Sequence, residues 1–331
     1  MSELCGLHAQ VMSSAELTLW ARVEDLEPDA VSRALWQQRS LVKTWAMRGT
    51  LHMLPAAEMG VWAAALGTRI ERHFLNNARL RAFGTTREET LRLIDAIGEA
   101  LDGRELTRAE LAEAVGDDRL RESWGAMRKP AAAAGLLCFA PSLGPNVRFT
   151  RPDWPEEDAA GALERVTRRY LTAGGPATRE DLARWWGVSP AEGGRMLAAL
   201  GDELTEAVVE DEPMWMLRAD AERAAGAEPA HLVRLLPGFD QFVIASTLHA
   251  ERLMPGPFKA RVHRPQGWIS PVLCVDGKLA GVWRHERKRR RLLVTLEPFA
   301  TLPVRARKGA EAEAERLAAF LGGALEVSWE A

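Results

Sequence analysis

Residues 41–52 read LVKTWAMRGTLH and form the stretch that most clearly indicates how this chain folds. The apolar periodicity leading into it predicts a helix over residues 28–45. The Arg-Gly-Thr turn at residues 48–50 and a strand beginning at Leu51 then predict a β-wing. Helices followed by a β-hairpin recur in nucleic-acid-binding proteins, because one helix can enter a groove while a basic loop contacts the flanking phosphates. The stretch therefore predicts DNA binding.

The composition is that of a globular protein, with 331 residues, 47% of them hydrophobic, and a formal net charge of −3. Such a length allows about two or three domains. Because the net charge is slightly negative, any affinity for DNA must come from local basic patches. Cys5, Cys138 and Cys274 occur in no CxxC or Cys/His pairing, which predicts free thiols, a reducing cytoplasm and no zinc site.

Several protein classes lack support in the sequence. The N-terminus has no basic region followed by an apolar core, and no segment reaches the roughly 18 consecutive apolar residues of a membrane span. P-loop, His-Glu-x-x-His, Gly-x-Ser-x-Gly and dinucleotide glycine motifs are absent. We therefore expect a cytoplasmic protein that uses no metal and no cofactor.

Residues 88–152 and 153–228 repeat the same order of helices and a hairpin. Their capping phrases, TRAELA at 107–112 and TREDLA at 178–183, align residue by residue and define a repeat of about 70 residues. Residues 1–87 predict a third, less regular copy. The predicted helices include residues 13–23, 28–45, 89–101, 121–135, 158–171 and 189–200, with a hairpin over 208–217. The pattern predicts three winged helices.

Residues 229–331 change to short β runs and predict a barrel-like domain. The predicted strands cover residues 231–235, 239–245, 268–275, 278–284, 291–297 and 302–305, and a closing helix covers 311–321. Asp276-Gly277 between two apolar runs is a strong hairpin signal. The predicted fold class is therefore α+β, with tandem winged-helix motifs and a C-terminal β-barrel-like domain.

A short motif near the N-terminus, Leu7-His8-Ala9-Gln10, suggests a family. Together with the phrases below, it makes the chain resemble the AlkZ/YcaQ family of bacterial DNA glycosylases, whose hallmark is Gln-x-Gln or Gln-x-Asp near the N-terminus. The supporting phrases are LWAR at 19–22, the stretch 45–52, LPGFD at 236–240, GW at 267–268 and VDGKLAGVWR at 275–284. The resemblance covers nearly the whole chain.

This resemblance implies tandem winged helices around a DNA-sized channel and a C-terminal barrel. It also implies metal-free, monofunctional hydrolysis of the N-glycosidic bond of alkylated purines. Members of the family unhook interstrand crosslinks or protect antibiotic producers from their own DNA alkylators. By the same resemblance Asp240 is a candidate pocket residue, with a strand-end cap as the alternative.

The chain departs from the family hallmark, because His8 replaces the first Gln while Gln10 keeps the second. An alkylated purine is already cationic and leaves without a general acid, so the enzyme must position a water and stabilise an oxocarbenium ion. A neutral imidazole can accept the proton of that water. The hypothesis is that His8 orients or deprotonates the water and Gln10 fixes its position. The alternatives are a helix-capping His8 and a surface amide at Gln10.

Basic residues predict where DNA is bound. The densest run lies in a predicted β-turn and contains Arg284, Arg287, Lys288, Arg289, Arg290 and Arg291. Such runs neutralise phosphates, although a solubilising loop is the alternative. Arg128 and Lys129 end the predicted recognition helix of the second repeat. Arg48 in the Arg-Gly-Thr turn is predicted to reach a phosphate or to anchor the wing through a buried ion pair.

Two other functions remain open at this point. Winged helices are more often binders than enzymes, so a transcription regulator is the main alternative. A DNA-binding scaffold without catalysis is the other, if His8 has disabled the family's chemistry. The partner expected in each case is double-stranded DNA, containing alkylated purines for the enzyme, and we expect a monomer.

Overall fold

The computed structural model describes residues 2–122, 124–228 and 231–330, and the chain divides into two compact units. Unit 1 comprises Met1–Leu7 and Ser32–Ala221, and unit 2 comprises His8–Val31 and Glu222–Ala331. The N-terminal segment that carries His8 and Gln10 therefore folds with the C-terminal third of the chain. The domain boundary predicted at Pro229 lies outside the described residues.

The helices and strands alternate along the whole chain. The α-helices are Met12–Trp20, Ala30–Trp36, Met59–Gly67, Ile70–Phe74, Asn77–Ala82, Arg87–Ala100, Arg108–Val115, Lys129–Ala133, Ala159–Gly174, Arg179–Trp186, Pro190–Ala198, Arg218–Ala225, Gln241–Ala245, Ala250–Leu253, Lys259–Val262 and Val304–Leu321. The strands are Leu7–His8, Leu41–Trp45, Leu51–Pro55, Leu106–Thr107, Cys138–Leu143, Asn146–Thr150, Leu204–Val209, Glu212–Leu217, Val233–Leu236, Val272–Val275, Lys278–Lys288, Arg291–Pro298 and Ala324–Trp329. In the described residues no helix is long and apolar enough to cross a membrane. The mixed α+β fold class is confirmed.

The repeated capping phrases fold as predicted in unit 1. Thr107 and Thr178 each accept a hydrogen bond from the backbone of the third residue of their helix, and the side chain of that residue bonds back. These capping boxes satisfy amide groups that would otherwise lack partners at the helix start. Both helices end at a glycine in the left-handed conformation, Gly116 and Gly187, so the repeat extends to both helix termini.

The helix predicted over residues 28–45 is wrong beyond Trp36. Arg39 has a φ of +51°, which interrupts the helical path, and Leu41–Trp45 is a strand paired antiparallel with Leu51–Pro55. The β-branched side chains of Val42 and Thr44 favour this extended conformation. The Arg-Gly-Thr turn therefore joins two strands of a hairpin.

The helix predicted over residues 121–135 is also shorter than expected, because only Lys129–Ala133 is α-helical there. Gly125 has a φ of +72°, and a Cβ at this position would lie 2.5 Å from a ring carbon of Trp45. The chain therefore makes a close turn over the indole before the helix begins. Ser123, within the predicted span, lies outside the described residues.

The sheet of unit 2 is open, so the predicted barrel is wrong. Its strand order is Ala324–Trp329, Arg291–Pro298, Lys278–Lys288, Val272–Val275 and Val233–Leu236. The two outer strands do not pair with each other, so no closed barrel forms among the described residues. The helix Val304–Leu321 packs its small residues against this sheet and connects two parallel neighbours, Arg291–Pro298 and Ala324–Trp329.

Two strands predicted in unit 2 are instead helical, and one strand was missed. Asp240 caps the helix Gln241–Ala245, which replaces a predicted strand over residues 239–245. The helix that closes the unit begins at Val304, directly after Pro303, which excludes the strand predicted over 302–305. The last strand, Ala324–Trp329, was not predicted. The hairpin turn at Asp276-Gly277 is confirmed.

Candidate functional site

The imidazole of His8 lies in a partly closed position in unit 2. His8 is 9% exposed, and its ring stacks on Phe239 with centroids 5.2 Å apart and an interplanar angle of 22°. Gln10, two residues further along, is exposed. One residue of the motif is therefore held by packing while the other is open to a ligand.

The backbone around Phe239 is shaped to present its ring to His8. Phe239 has a φ of +60°, a left-handed conformation that non-glycine residues rarely adopt. At the preceding residue, Gly238, an added Cβ would lie only 2.9 Å from the carbonyl oxygen of Ile269. The close approach at Gly238 and the turn at Phe239 explain why the LPGFD phrase has glycine before the aromatic residue.

Asp240 anchors this turn to the N-terminal segment. It is fully buried and accepts two hydrogen bonds from the guanidinium of Arg22, at 2.7 and 2.8 Å. It also accepts the backbone amide of Phe242 at 2.9 Å, which caps the helix Gln241–Ala245. Bidentate pairing fixes the geometry of both partners. Sequence reasoning missed Arg22 as the partner of Asp240, although Arg22 ends the LWAR phrase.

The cysteines take no part in this site. Cys5, Cys138 and Cys274 are free, as predicted, and all three are buried. Burial raises the pKa of Cys274 to about 11 and that of Cys138 to about 12, so both thiols stay protonated at neutral pH. In the described ranges no three His, Cys, Asp or Glu side chains come together in a way that could hold a metal ion.

A second aromatic side chain, missed by sequence reasoning, continues the stack from His8. The indole of Trp268 contacts the ring of Phe239, with centroids 5.1 Å apart and an interplanar angle of 51°. Trp268 is 53% exposed. The three rings of His8, Phe239 and Trp268 therefore form a row, hereafter the aromatic row, that runs from a buried imidazole to an open indole.

The basic run of unit 2 forms an exposed hairpin. Lys288 pairs with Arg291 across a two-residue turn, Arg289-Arg290, in which Arg289 has a φ of +55°. Within the described ranges, neither turn guanidinium takes part in a hydrogen bond or ion pair. The other cations have partners: Arg284 with Glu297 and Glu330, Arg287 with the Leu321 carbonyl, Lys288 with Glu286 and Arg291 with Glu326. The turn is the part of the hairpin with free positive charge.

Arg48 occupies a different environment, in unit 1. It is partly buried, with a φ of +55°, and donates to the carbonyl oxygen of Trp185 at 3.0 Å. Burial, with a contribution from Arg184, lowers its pKa. The Cδ of Lys129 lies 3.7 Å from the position that a Cβ would take on Gly49. The structure thus brings Lys129 beside the Arg48 turn, with Arg48 bonded to protein.

Arg128 is placed in the interior of unit 1. It is 1% exposed, and its guanidinium donates to the carbonyl oxygens of Leu120 and Glu122. The same group lies over the rings of Phe149 and Trp45, at 5.2 and 6.0 Å from their centroids. Burial lowers its pKa to about 10. In this position Arg128 supports a loop and presents no charge at the surface, in contrast to the phosphate contact expected from the sequence.

Comparison with known proteins places the chain in a family. Residues 1–320 match the profile of the family described as DNA glycosylase AlkZ-like. A protein of Streptomyces sahachiroi named interstrand DNA cross-link repair glycosylase is 36% identical over 343 aligned positions, which cover 97% of this chain and 90% of that protein. The solved structure of Streptomyces sahachiroi DNA glycosylase AlkZ matches with a TM-score of 0.89 at 35% identity, covering 99% of this chain and 92% of that one. The resemblance seen in the sequence is confirmed, and the chain belongs to the AlkZ-like family of DNA glycosylases.

Proposed function

We propose that this glycosylase hydrolyses the N-glycosidic bond of alkylated purines in duplex DNA and that His8 and Gln10 hold the attacking water. The observation that carries the proposal is the pairing of a packed imidazole with an exposed amide two residues away. Packing against Phe239 limits the rotation of the His8 ring, and an oriented group lowers the entropic cost of positioning a water.

The chemistry needs little more than this arrangement. A purine alkylated at N7 or N3 carries a positive charge, so the electron pair of the breaking C1′–N bond neutralises it and the base leaves without a general acid. The water oxygen then bonds to C1′, and its proton passes to the imidazole of His8 or to solvent. Because no enzyme amine bonds to C1′, the reaction is monofunctional and leaves an abasic site in an uncut strand. The reaction is proposed to need no metal.

The Arg289-Arg290 turn is the proposed contact to the DNA backbone, since its guanidinium groups have no protein partner in the described ranges. Lys129 is a second proposed contact. The proposed organisation has winged helices over residues 1–87, 88–152 and 153–228, followed by a C-terminal domain over 229–331, except that residues 8–31 of the first segment belong to the compact unit of the C-terminal domain. The protein is proposed to act as a cytoplasmic monomer.

The lesion is proposed to extend to bulky adducts and interstrand crosslinks. The support is the name of the 36% identical Streptomyces sahachiroi protein, an interstrand DNA cross-link repair glycosylase. Self-resistance to a DNA-alkylating antibiotic is one biological role of such an activity, and base excision repair is the other. Extruding a base costs a few kcal/mol, and this cost is lower for a damaged base.

The proposal is tested by incubating the protein, in the presence of EDTA, with duplex DNA that contains N7-methylguanine and measuring the release of the free base. We expect the wild-type protein to release the base, and His8→Ala and Gln10→Ala to slow release by roughly 100-fold or more. His8→Gln, which restores the hallmark of the family, keeps activity if the residue orients the water and loses it if the residue accepts a proton. His231→Ala is the matched control, because this exposed histidine lies in the same unit outside the motif.

Thermal unfolding of each variant shows that the fold is intact. Release by His8→Ala at the wild-type rate would contradict the assignment of His8. The wild-type protein could fail to release both N7-methylguanine and a bulkier N7 adduct and still bind duplex DNA in a salt-dependent way. In that case the chain is a DNA-binding protein and the proposed reaction is wrong.

A further inference from the structure

The aromatic row ends in a side chain whose exposure is unusual for its size. Trp268 is 53% exposed, whereas His8 at the other end of the row is 9% exposed. Leaving an indole in water forgoes much of the stabilisation that burial of a large apolar side chain supplies. What makes this indole a candidate binding surface is its continuity, through Phe239, with the proposed catalytic residue His8.

The backbone around Trp268 is well fixed although its side chain is open. Its carbonyl oxygen accepts the backbone amide of Arg264 at 2.8 Å. Two residues later, the amide of Ser270 donates to the carbonyl of Val262 at 2.9 Å. Phe239 supports the indole from one side. The ring is therefore presented by a preformed turn, so a ligand stacked on it would not have to order the loop.

The faces of the aromatic row, and not the neighbouring carboxylate of Asp240, are what could attract a cation here. Asp240 follows Phe239 directly, but its carboxylate is fully buried and neutralised by Arg22. It therefore cannot attract a positive ligand to the row. The faces of an indole and a benzene ring carry negative electrostatic potential and attract cations, with tryptophan the strongest of the aromatic side chains.

We infer that Trp268, supported by Phe239, binds the positively charged ring of an alkylated purine and selects it over neutral purines. The inference rests on the proposed function and names the feature of the substrate that the site recognises. Its energy acts on the bound substrate, because in the transition state the positive charge moves from the purine to the sugar. Trp268 therefore strengthens substrate binding and gives no acceleration of bond cleavage, because the contact weakens as the charge leaves the purine.

The same contact has a consequence for the product. When the C1′–N bond breaks, its electron pair neutralises the purine, so the released base loses the charge that held it on the indole. The aromatic row is thus a site for the charged lesion and a weak site for the excised base. If Trp268 had a purely structural role, the protein would not bind the charged lesion more tightly than the excised neutral base on account of this residue.

The inference is tested by equilibrium binding to two duplexes that cannot be cleaved. Both carry a 2′-fluoro sugar, which slows loss of the base, and they differ only in having N7-methylguanine or guanine at one position. We expect the wild-type protein to prefer the cationic base, and Trp268→Leu to lose that preference by roughly 2- to 30-fold. Trp268→Phe should keep part of it. Trp215→Leu, which removes an exposed tryptophan of unit 1, is the matched control.

Single-turnover release of N7-methylguanine supplies the second readout. For Trp268→Leu we expect a higher protein concentration at half-maximal rate and a rate at saturation that is equal to or above that of wild type, because the lost contact favours the bound substrate over the transition state. The inference is overturned if Trp268→Leu weakens binding to both duplexes equally, if it lowers the saturating rate alone, or if the wild-type protein shows no preference. Failure of the proposed function gives a different result. The wild-type protein then releases no base, while binding to the two uncleavable duplexes still measures its preference for the cationic base.

Discussion

Two hairpin turns of this protein carry arginines that look alike in the sequence, as basic residues in a turn between two strands, but lie in opposite environments. Arg48 of unit 1 is partly buried and donates to the carbonyl oxygen of Trp185. Arg289 and Arg290 of unit 2 are exposed, and among the described residues no protein group bonds to their guanidinium groups. Arg48 and Arg289 even share the same backbone conformation, with a φ of +55°.

The difference shows that the role of an arginine at a turn depends on what its guanidinium group bonds to. A guanidinium that donates to buried carbonyls replaces water for those groups, so removing it costs folding free energy. A guanidinium in water adds little to the stability of the fold and remains available to a phosphate. Each arginine can therefore be classified by whether its loss affects unfolding or DNA binding.

The largest effect on stability is expected from Arg128. Arg128→Met removes the donors of two carbonyl oxygens and the cation over two aromatic rings, so we expect a loss of about 3 kcal/mol in the free energy of unfolding. Urea unfolding measures it. Lys129→Met is the adjacent control and should cost far less. A loss below about 0.5 kcal/mol for Arg128→Met would show that the buried guanidinium is not needed for folding.

The exposed turn should behave in the opposite way. The double substitution of Arg289→Ala and Arg290→Ala should leave the free energy of unfolding within about 0.5 kcal/mol of wild type. Because each phosphate contact contributes about 0.9 to the slope of log affinity against log salt, losing two contacts should reduce that slope by about 2. Titration of labelled duplex at several salt concentrations measures the slope. An unchanged slope would leave the hairpin as a solubilising loop.

A smaller effect is expected at Arg48. Arg48→Ala removes one hydrogen bond to the Trp185 carbonyl and keeps the strained backbone, so we expect a loss of about 1 kcal/mol in unfolding free energy. The salt slope of DNA binding should not change. A reduced slope with unchanged stability would move Arg48 to the DNA-binding class and break the contrast between the two turns.

A pH dependence of stability is expected at His73, whose pKa is lowered first by burial and then by neighbouring arginines. Burial, together with Arg69, Arg79 and Arg72, lowers the pKa of His73 to about 4. The unfolded chain binds a proton near pH 6.5 and the folded one does not, so this stability is present above pH 6.5 and is lost as the pH falls towards 4. In His73→Gln the loss of stability between these values should be shallower than in wild type. Urea midpoints at pH 7, 6 and 5 measure the difference.

Features set by local chemistry could be predicted from the sequence. The capping boxes at Thr107 and Thr178 and the turn at Asp276-Gly277 need only neighbouring residues, and all three fold as expected. The strand Leu41–Trp45 was mistaken for a helix because its conformation depends on pairing with Leu51–Pro55. The barrel prediction was wrong for the same reason, because closure of a sheet depends on whether edge strands that are distant in sequence pair with each other.

The candidate site was predictable in part. The sequence names His8 and Gln10 through the family hallmark, and these assignments stay predictions, whereas Asp240, named as a pocket candidate through its phrase, is a buried helix cap. The partners of these residues were not found, because Arg22 lies 218 residues from Asp240, and Phe239 is also more than 200 residues from His8 in the chain. Arg128 was misjudged because a basic residue at a helix end resembles a phosphate contact, and only the structure shows that its guanidinium is buried.

The membership of residues 8–31 in unit 2 has a consequence for synthesis. On the ribosome the His8 motif emerges first, but the ring that packs on it and the carboxylate that holds Arg22 are translated about 200 residues later, at 5–20 residues per second. The nascent protein can complete much of unit 1 while its proposed catalytic segment still lacks its partners. Chains that stop before residue 239 therefore lack the ring and the carboxylate that pack on this segment, and we expect them to be inactive.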